Sequence, residues 1–188
     1  MRIALALRKI GPDALRPLYK ALADSDPSVR GWAAFTLGFA RIGCMQLKPE
    51  GKVAIPALVE ALQDVDAKVR YWAVCALGKN RPEPLLTFHA LVKSLHSDSS
   101  SEVRSAAADA LGRLGPLAVP ELVEGLEDEN SDVRRAAADA LGGIGHVAQA
   151  AAPALVKLMK DPDRIVREQA AKALLQVDPI MTAKAEVQ

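Results

Sequence analysis

The residues best suited to chemistry in this chain are five aspartates, each followed six residues later by an arginine: Asp24/Arg30, Asp64/Arg70, Asp98/Arg104, Asp128/Arg134 and Asp161/Arg167. A carboxylate and a planar guanidinium form a charge-assisted, bidentate pair. Five copies of one acid and base argue against a catalytic centre and for a device repeated along the fold. A valine precedes every arginine (Val29, Val69, Val103, Val133, Val166) and a leucine follows seven later (Leu37, Leu77, Leu111, Leu141, Leu174). Successive arginines stand 40, 34, 30 and 33 residues apart. A period of that size is the signature of a tandem array of one supersecondary unit.

The elements that must carry these pairs follow from the spacing. Four residues before each arginine stand Asp26, Asp66, Ser100, Asn130 and Asp163, all side chains able to cap a helix N-terminus. A second helix of each unit is predicted to begin there. Valine, an alanine three after the arginine (Ala33, Ala73, Ala107, Ala137, Ala170) and the leucine share its buried stripe. Gly115 and Gly145 are placed to close two of these helices in a left-handed conformation. Upstream, Pro56, Pro120 and Pro153 stand fourteen before the arginine, with Pro17 one place off. They lead into first helices whose leucines, such as Leu58/Leu62 and Leu122/Leu126, share one face. Each unit is thus a helical hairpin, and stacking would set an arginine of one beside an aspartate of its neighbour.

Proline, aspartate eight later, then Val-Arg five and six beyond it resembles the HEAT-repeat consensus. The wording of Ser105–Gly115 and Arg135–Gly145 is similar to the HEAT-like repeats named after phycobilisome lyase subunits. The resemblance implies an all-α fold, an α-solenoid superhelix of helical hairpins. Residues 1–188 then form one repeat domain: a half repeat over 1–11, five full repeats over about 12–43, 44–80, 81–115, 116–145 and 146–178, and a tail over 179–188. Two departures are expected to be loops, an insertion within Arg41–Lys52 and a stretched segment over Lys79–Pro84. The array opens on half a unit, as a fragment or an unusual cap would, while polar Thr182–Gln188 reads as a natural terminus.

The resemblance further implies that the second helices line a concave binding surface, and the helical wheel exposes positions one, five and nine after each arginine. Phe35, Phe39, Tyr71 and Cys75 occupy these columns in the first two units, flanked by Trp32 and Trp72 at position two. Aromatic residues make up only 4% of the chain, so their concentration here marks a candidate partner surface. Later units carry Ser105, Asp109, Arg113, Arg135, Asp139, Glu168 and Lys172 in the same columns. Asp109 and Asp139 would repel phosphate, which argues against nucleic acid.

Enzyme readings find little support. His89, His96 and His146 fall at unrelated repeat positions, and none is followed by Glu as in HEAT-type di-iron hydroxylases. The run Gly142-Gly143-Ile144-Gly145 lacks the strand and the Lys-Ser/Thr of a phosphate loop. Cys44 and Cys75 are too few for a disulfide framework or a multi-cysteine zinc site, and Cys75 has no histidine placed beside it. Neither a cofactor nor a metal is expected. The apolar run near Met1 is too short for a signal peptide, no segment reads as a membrane span, and the cytoplasm is the default location. Net charge is only +1, but residues 1–94 hold 14 Lys/Arg against 8 Asp/Glu and residues 95–188 hold 10 against 15. The expected function is a non-catalytic scaffold for a protein or peptide. The alternative implied by the resemblance is a subunit of a bilin lyase–isomerase, which attaches a tetrapyrrole to phycobiliprotein cysteines, generally as a two-subunit complex.

Overall fold

A computed structural model describes residues 15–39, 49–80 and 84–180, and every regular element among them is helical. The α-helices are α1 (Leu15–Ala21), α2 (Pro27–Phe39), α3 (Pro49–Ala61), α4 (Ala67–Asn80), α5 (Pro84–Ser97), α6 (Ser101–Leu114), α7 (Val119–Gly125), α8 (Ser131–Ile144), α9 (Ala152–Leu158) and α10 (Arg164–Val177). Short 3₁₀ turns at Pro116–Ala118 and Gly145–Ala151 lead into α7 and α9. The fold is an all-α solenoid of helical hairpins. The chain divides into two compact units, residues 1–90 and 91–188. In the first, α1 packs on α2, α3 on α4, and the second helices α2 and α4 against each other. In the second, α6 packs on α8 and α8 on α10, with α7 against α8 and α9 against α10. None of the described helices is long and apolar enough to cross a membrane.

The hairpins start where capping chemistry starts them. Asp26 Oδ1 accepts from Ser28 N at 2.8 Å, Asp66 Oδ1 from Lys68 N at 2.7 Å, Asn130 Oδ1 from Asp132 N at 2.8 Å and Asp163 Oδ1 from Ile165 N at 2.7 Å. Ser100 is a correction: it is the N-cap of α6, but its side chain makes no capping hydrogen bond. The Ser100 carbonyl takes the N–H groups of Val103 and Arg104, just as the Asn130 carbonyl takes those of Val133 and Arg134. The glycine closures also differ from expectation. Gly115 and Gly145 have φ of 89° and 74°, but ψ is −149° and −150°. That is the extended mirror region open essentially to glycine alone, not the left-handed helical one. The chain leaves α6 and α8 extended so that it can turn directly into the next 3₁₀ segment.

Proline acts in two ways. Pro120 and Pro153 lie in the first turn of seven-residue helices, where a missing N–H costs nothing. Pro56 instead lies inside α3, because the chain already becomes helical at Pro49. Part of the expected insertion, Pro49–Lys52, is therefore helix and not loop. Likewise Lys79 and Asn80 end α4 and Pro84 opens α5, so the second stretched segment contributes helix at both ends. The readings placed on residues 1–14, 40–48, 81–83 and 181–188 lie outside the described residues.

The core is built from the repeated stripe. Val69, Val103, Val133 and Val166 are buried, as are the five alanines and five leucines that share their face. Val29 differs at 38% exposed. Among the described residues α2 has a second-helix neighbour, α4, on one flank alone, whereas α8 lies between α6 and α10. The second helices approach closely through small residues. A Cβ added at Gly38 would come within 2.8 Å of Ala76 Cα, and one at Gly112 within 2.7 Å of Ala140 Cβ. Gly142 faces Ala173 Cα in the same way, at 3.1 Å. These glycines all follow the core leucine by one residue.

Candidate functional site

Two arrangements gather the residues singled out above. The first is the Asp/Arg set, which forms the same constellation at successive hairpins. Arg30 donates through Nε and Nη2 to the Asp64 carboxylate at 2.6 and 2.8 Å, and through Nη1 to the Asp24 carbonyl at 2.8 Å. Arg104 reaches Asp128 at 2.8 and 3.1 Å and the Asp98 carbonyl at 2.9 Å. Arg134 reaches Asp161 at 2.7 and 2.9 Å and the Asp128 carbonyl at 2.9 Å. Arg70 and Arg167 hold the carbonyls of Asp64 and Asp161 at 2.8 and 2.7 Å. The guanidinium fork thus ties the tight turn of its own hairpin to the aspartate of the next.

A further role of the aspartates escaped the spacing argument. Oδ1 of Asp24, Asp64, Asp98, Asp128 and Asp161 accepts the backbone N–H two residues on, at 2.8–2.9 Å each time. Each aspartate therefore shapes its own turn, and Asp64, Asp128 and Asp161 also receive an arginine from the preceding hairpin. Asp178 repeats the turn contact with Ile180 N at 3.1 Å. The signal lay in the Asp-x-Asp/Asn/Ser wording, since a short acidic side chain readily makes this turn. The pairing has electrostatic consequences. The Arg30 and Arg134 hydrogen bonds hold the carboxyls of Asp64 and Asp161 below the ordinary aspartate range, against the opposing effect of burial. The guanidinium groups of Arg30, Arg104 and Arg134 are raised by the same contacts.

The second arrangement is aromatic and lies within the first unit. Trp32 meets Phe35 with ring centroids 5.5 Å apart at 85°, Phe35 meets Trp72 at 4.7 Å and 83°, and Tyr71 meets Trp72 at 4.9 Å and 76°. Trp32 is 63% exposed, while Phe35, Tyr71 and Trp72 are partly buried. Trp32, Phe35 and Trp72 line an open cleft of about 360 Å³ between α2 and α4. Position two after the arginine holds buried Ala106 and Ala136 and half-buried Gln169 in the second unit. The indoles therefore stand where two later repeats pack alanine and the last carries glutamine. Phe39 ends α2, and its side chain lies outside the described residues. Asp66 and Lys68 also line the cleft. Their sequence positions mark only a cap and a helix start, which is why spacing alone did not place them here.

The remaining candidates do not converge on a reactive centre. His96 Nε2 lies 3.6 Å from the Glu124 carboxylate at the surface. His89 and His146 are exposed at other places in the array, and among the described residues no cluster has metal-ligand composition. Cys75 is half-buried on α4. Asp109 and Asp139 are both exposed on α6 and α8, and Gln169 donates to Asp139 at 2.6 Å. The Asp109 carboxyl is raised, chiefly because the flanking helices displace part of its hydration although it keeps solvent access; Asp139 adds to this, and Arg113 and Arg135 oppose it.

Comparison with known proteins matches this geometry. A family model described as HEAT repeats fits residues 1–78 and 88–175. No curated protein matches the sequence significantly. Among solved structures, the chain is similar to the complex of CpcE and CpcF of phycocyanin lyase from Nostoc sp. PCC7120, at 27% identity and TM-score 0.68, over 89% of this chain and 66% of that one. It thus spans just under two thirds of that chain. Computationally designed armadillo repeat proteins for modular peptide recognition are similar at 25% identity and TM-score 0.63, over 88% of this chain and 83% of that one. A designed armadillo repeat protein in complex with the peptide (KR)4 shares the fold at 24% identity and TM-score 0.67, over 88% and 82%.

Proposed function

We propose, from the premise that this chain belongs to the HEAT-repeat family, that it is a non-catalytic cytoplasmic scaffold holding a protein or peptide segment on the face of its second helices. The observation that carries this reading is the aromatic cleft. A Trp side chain 63% exposed, beside two further rings in edge contact, leaves apolar area in water that a partner would cover. The similarity to repeat proteins designed for peptide recognition supports it. Within this reading the Asp/Arg pairs are structural, holding hairpins in register, and the acidic column at Asp109 and Asp139 disfavours nucleic acid.

The test is affinity capture from source-cell lysate with mass spectrometry, comparing the wild type with a Trp32→Ser/Tyr71→Ser variant whose helicity is checked by circular dichroism. A stoichiometric partner lost only by the folded variant is the expected outcome. A partner kept by both variants would move the binding surface off the cleft. Failure to capture any partner would count against the scaffold reading itself.

The similarity to the phycocyanin lyase complex favours a second reading, a subunit of a bilin lyase–isomerase. Co-expression with a bilin and an apo-phycobiliprotein distinguishes the two. Covalent colour appearing on the phycobiliprotein supports the lyase subunit, whereas the scaffold reading expects none.

A further inference from the structure

We infer that the Trp32–Phe35–Trp72 cleft seats the cationic side chain of an arginine or lysine from an extended partner segment, a conclusion that rests on the peptide-docking reading above. Trp32 lines the cleft and is 63% exposed, so much of its ring surface is open to an occupant. An aromatic face carries the negative part of the ring quadrupole and attracts a cation placed over it. The same faces repel a carboxylate or phosphate.

Charge at the cleft points the same way. Asp66 lines it, and the backbone N–H groups of Lys68 and Val69 engage Oδ1 alone. Among the described residues, Oδ2 of Asp66 accepts no hydrogen bond, and Asp24, Asp26 and Asp66 form no ion pair. Arg30, the nearby fixed cation, is bound to Asp64 and is attracted more weakly by Asp66 and Asp24. Lys68 also lines the cleft, but it is exposed and carries its charge on a flexible four-carbon stem, whereas Asp66 is fixed by its capping bonds. The excess of Lys/Arg over residues 1–94 matters less, because exposed charges beyond roughly 8 Å are screened at physiological salt. An anion would seek the N-termini of α2 and α4, but the Asp26 and Asp66 carboxylates already cap them.

Both tryptophans of the chain stand in this cleft, so intrinsic Trp emission of the full chain reports on it alone. The probes are N-acetylated, C-amidated tetraarginine, tetraglutamate and tetraleucine peptides. Tetraarginine is expected to change the emission saturably, and tetraglutamate is not. Asp66→Asn keeps the capping oxygen and removes the charge, and should weaken tetraarginine binding about three- to fivefold. Trp32→Leu leaves Trp72 as reporter and should weaken it about tenfold or more. Equal binding of tetraleucine, or unchanged affinity in Asp66→Asn, would overturn the cation assignment while leaving peptide docking in place. No saturable change with any of the three also overturns it, and lysate capture then judges the scaffold reading independently.

Discussion

At the scale of single residues, one guanidinium serves two hairpins. Arg104 holds the Asp98 carbonyl of its own turn and the Asp128 carboxylate of the next hairpin, with Glu129 at 3.4 Å beyond. Its loss strands a partly buried carboxylate, so Arg104→Ala should destabilise the fold by about 1–3 kcal/mol, read by thermal or urea unfolding. An unchanged midpoint would remove the ladder from the stability argument. The same pairing gives a pH signature. Arg134 lowers the folded-state carboxyl of Asp161, with help from the backbone N–H of Asp163. The native state then stays ionised where the unfolded chain, near pKa of about 3.9, takes up a proton. The contribution is complete above the unfolded value and is lost as pH falls through the lower folded one. Melting temperature should therefore drop between about pH 5 and pH 2, and Asp161→Asn should flatten that drop. A variant as acid-sensitive as the wild type would assign the acid response to other groups. The aspartate and arginine types were readable at this scale. That one aspartate would also fold its own turn depended on backbone geometry.

At the scale of elements, helix spacing is decided by what a glycine omits. Gly112 sits against Ala140, where an added methyl would lie 2.7 Å from Cβ and 3.1 Å from Cα. Gly112→Ala must push α8 away from α6, a cost of about 1–3 kcal/mol by overpacking. Gly143 is the built-in comparison, because a methyl added there would meet nothing within 4 Å, in the same run of glycines. Gly143→Ala should stabilise by about 0.4–1 kcal/mol through the unfolded chain's lost freedom. Chemical denaturation of the two variants reads the contrast directly, and equal effects would refute the close-approach argument. The two glycines of Gly142-Gly143 look alike in sequence. Only packing separates the one that faces Ala173 from the one that faces water. Ser100 teaches the same lesson: its type permits a cap, and its side-chain orientation withholds one.

At the scale of the whole molecule, neighbouring hairpins make the contacts, and each compact unit is described by those contacts alone. This is why a solenoid advertises itself in one dimension: every hairpin meets the same neighbour and so keeps the same residues. The Asp/Arg period, the capping types and the Val/Ala/Leu stripe were enough to determine the repeat, its helix order and its core. They are local or nearest-neighbour requirements, repeated until they become visible. The cleft is not repeated. It joins Trp32 and Phe35 on α2 to Asp66, Lys68 and Trp72 on α4, residues more than thirty positions apart whose juxtaposition depends on how the two helices rotate and how closely they approach. Sequence alone marked the aromatic residues as out of place. Tertiary packing decided which of them share a cleft, which carboxylate stands beside them, and hence what charge of partner the cleft is fitted to receive.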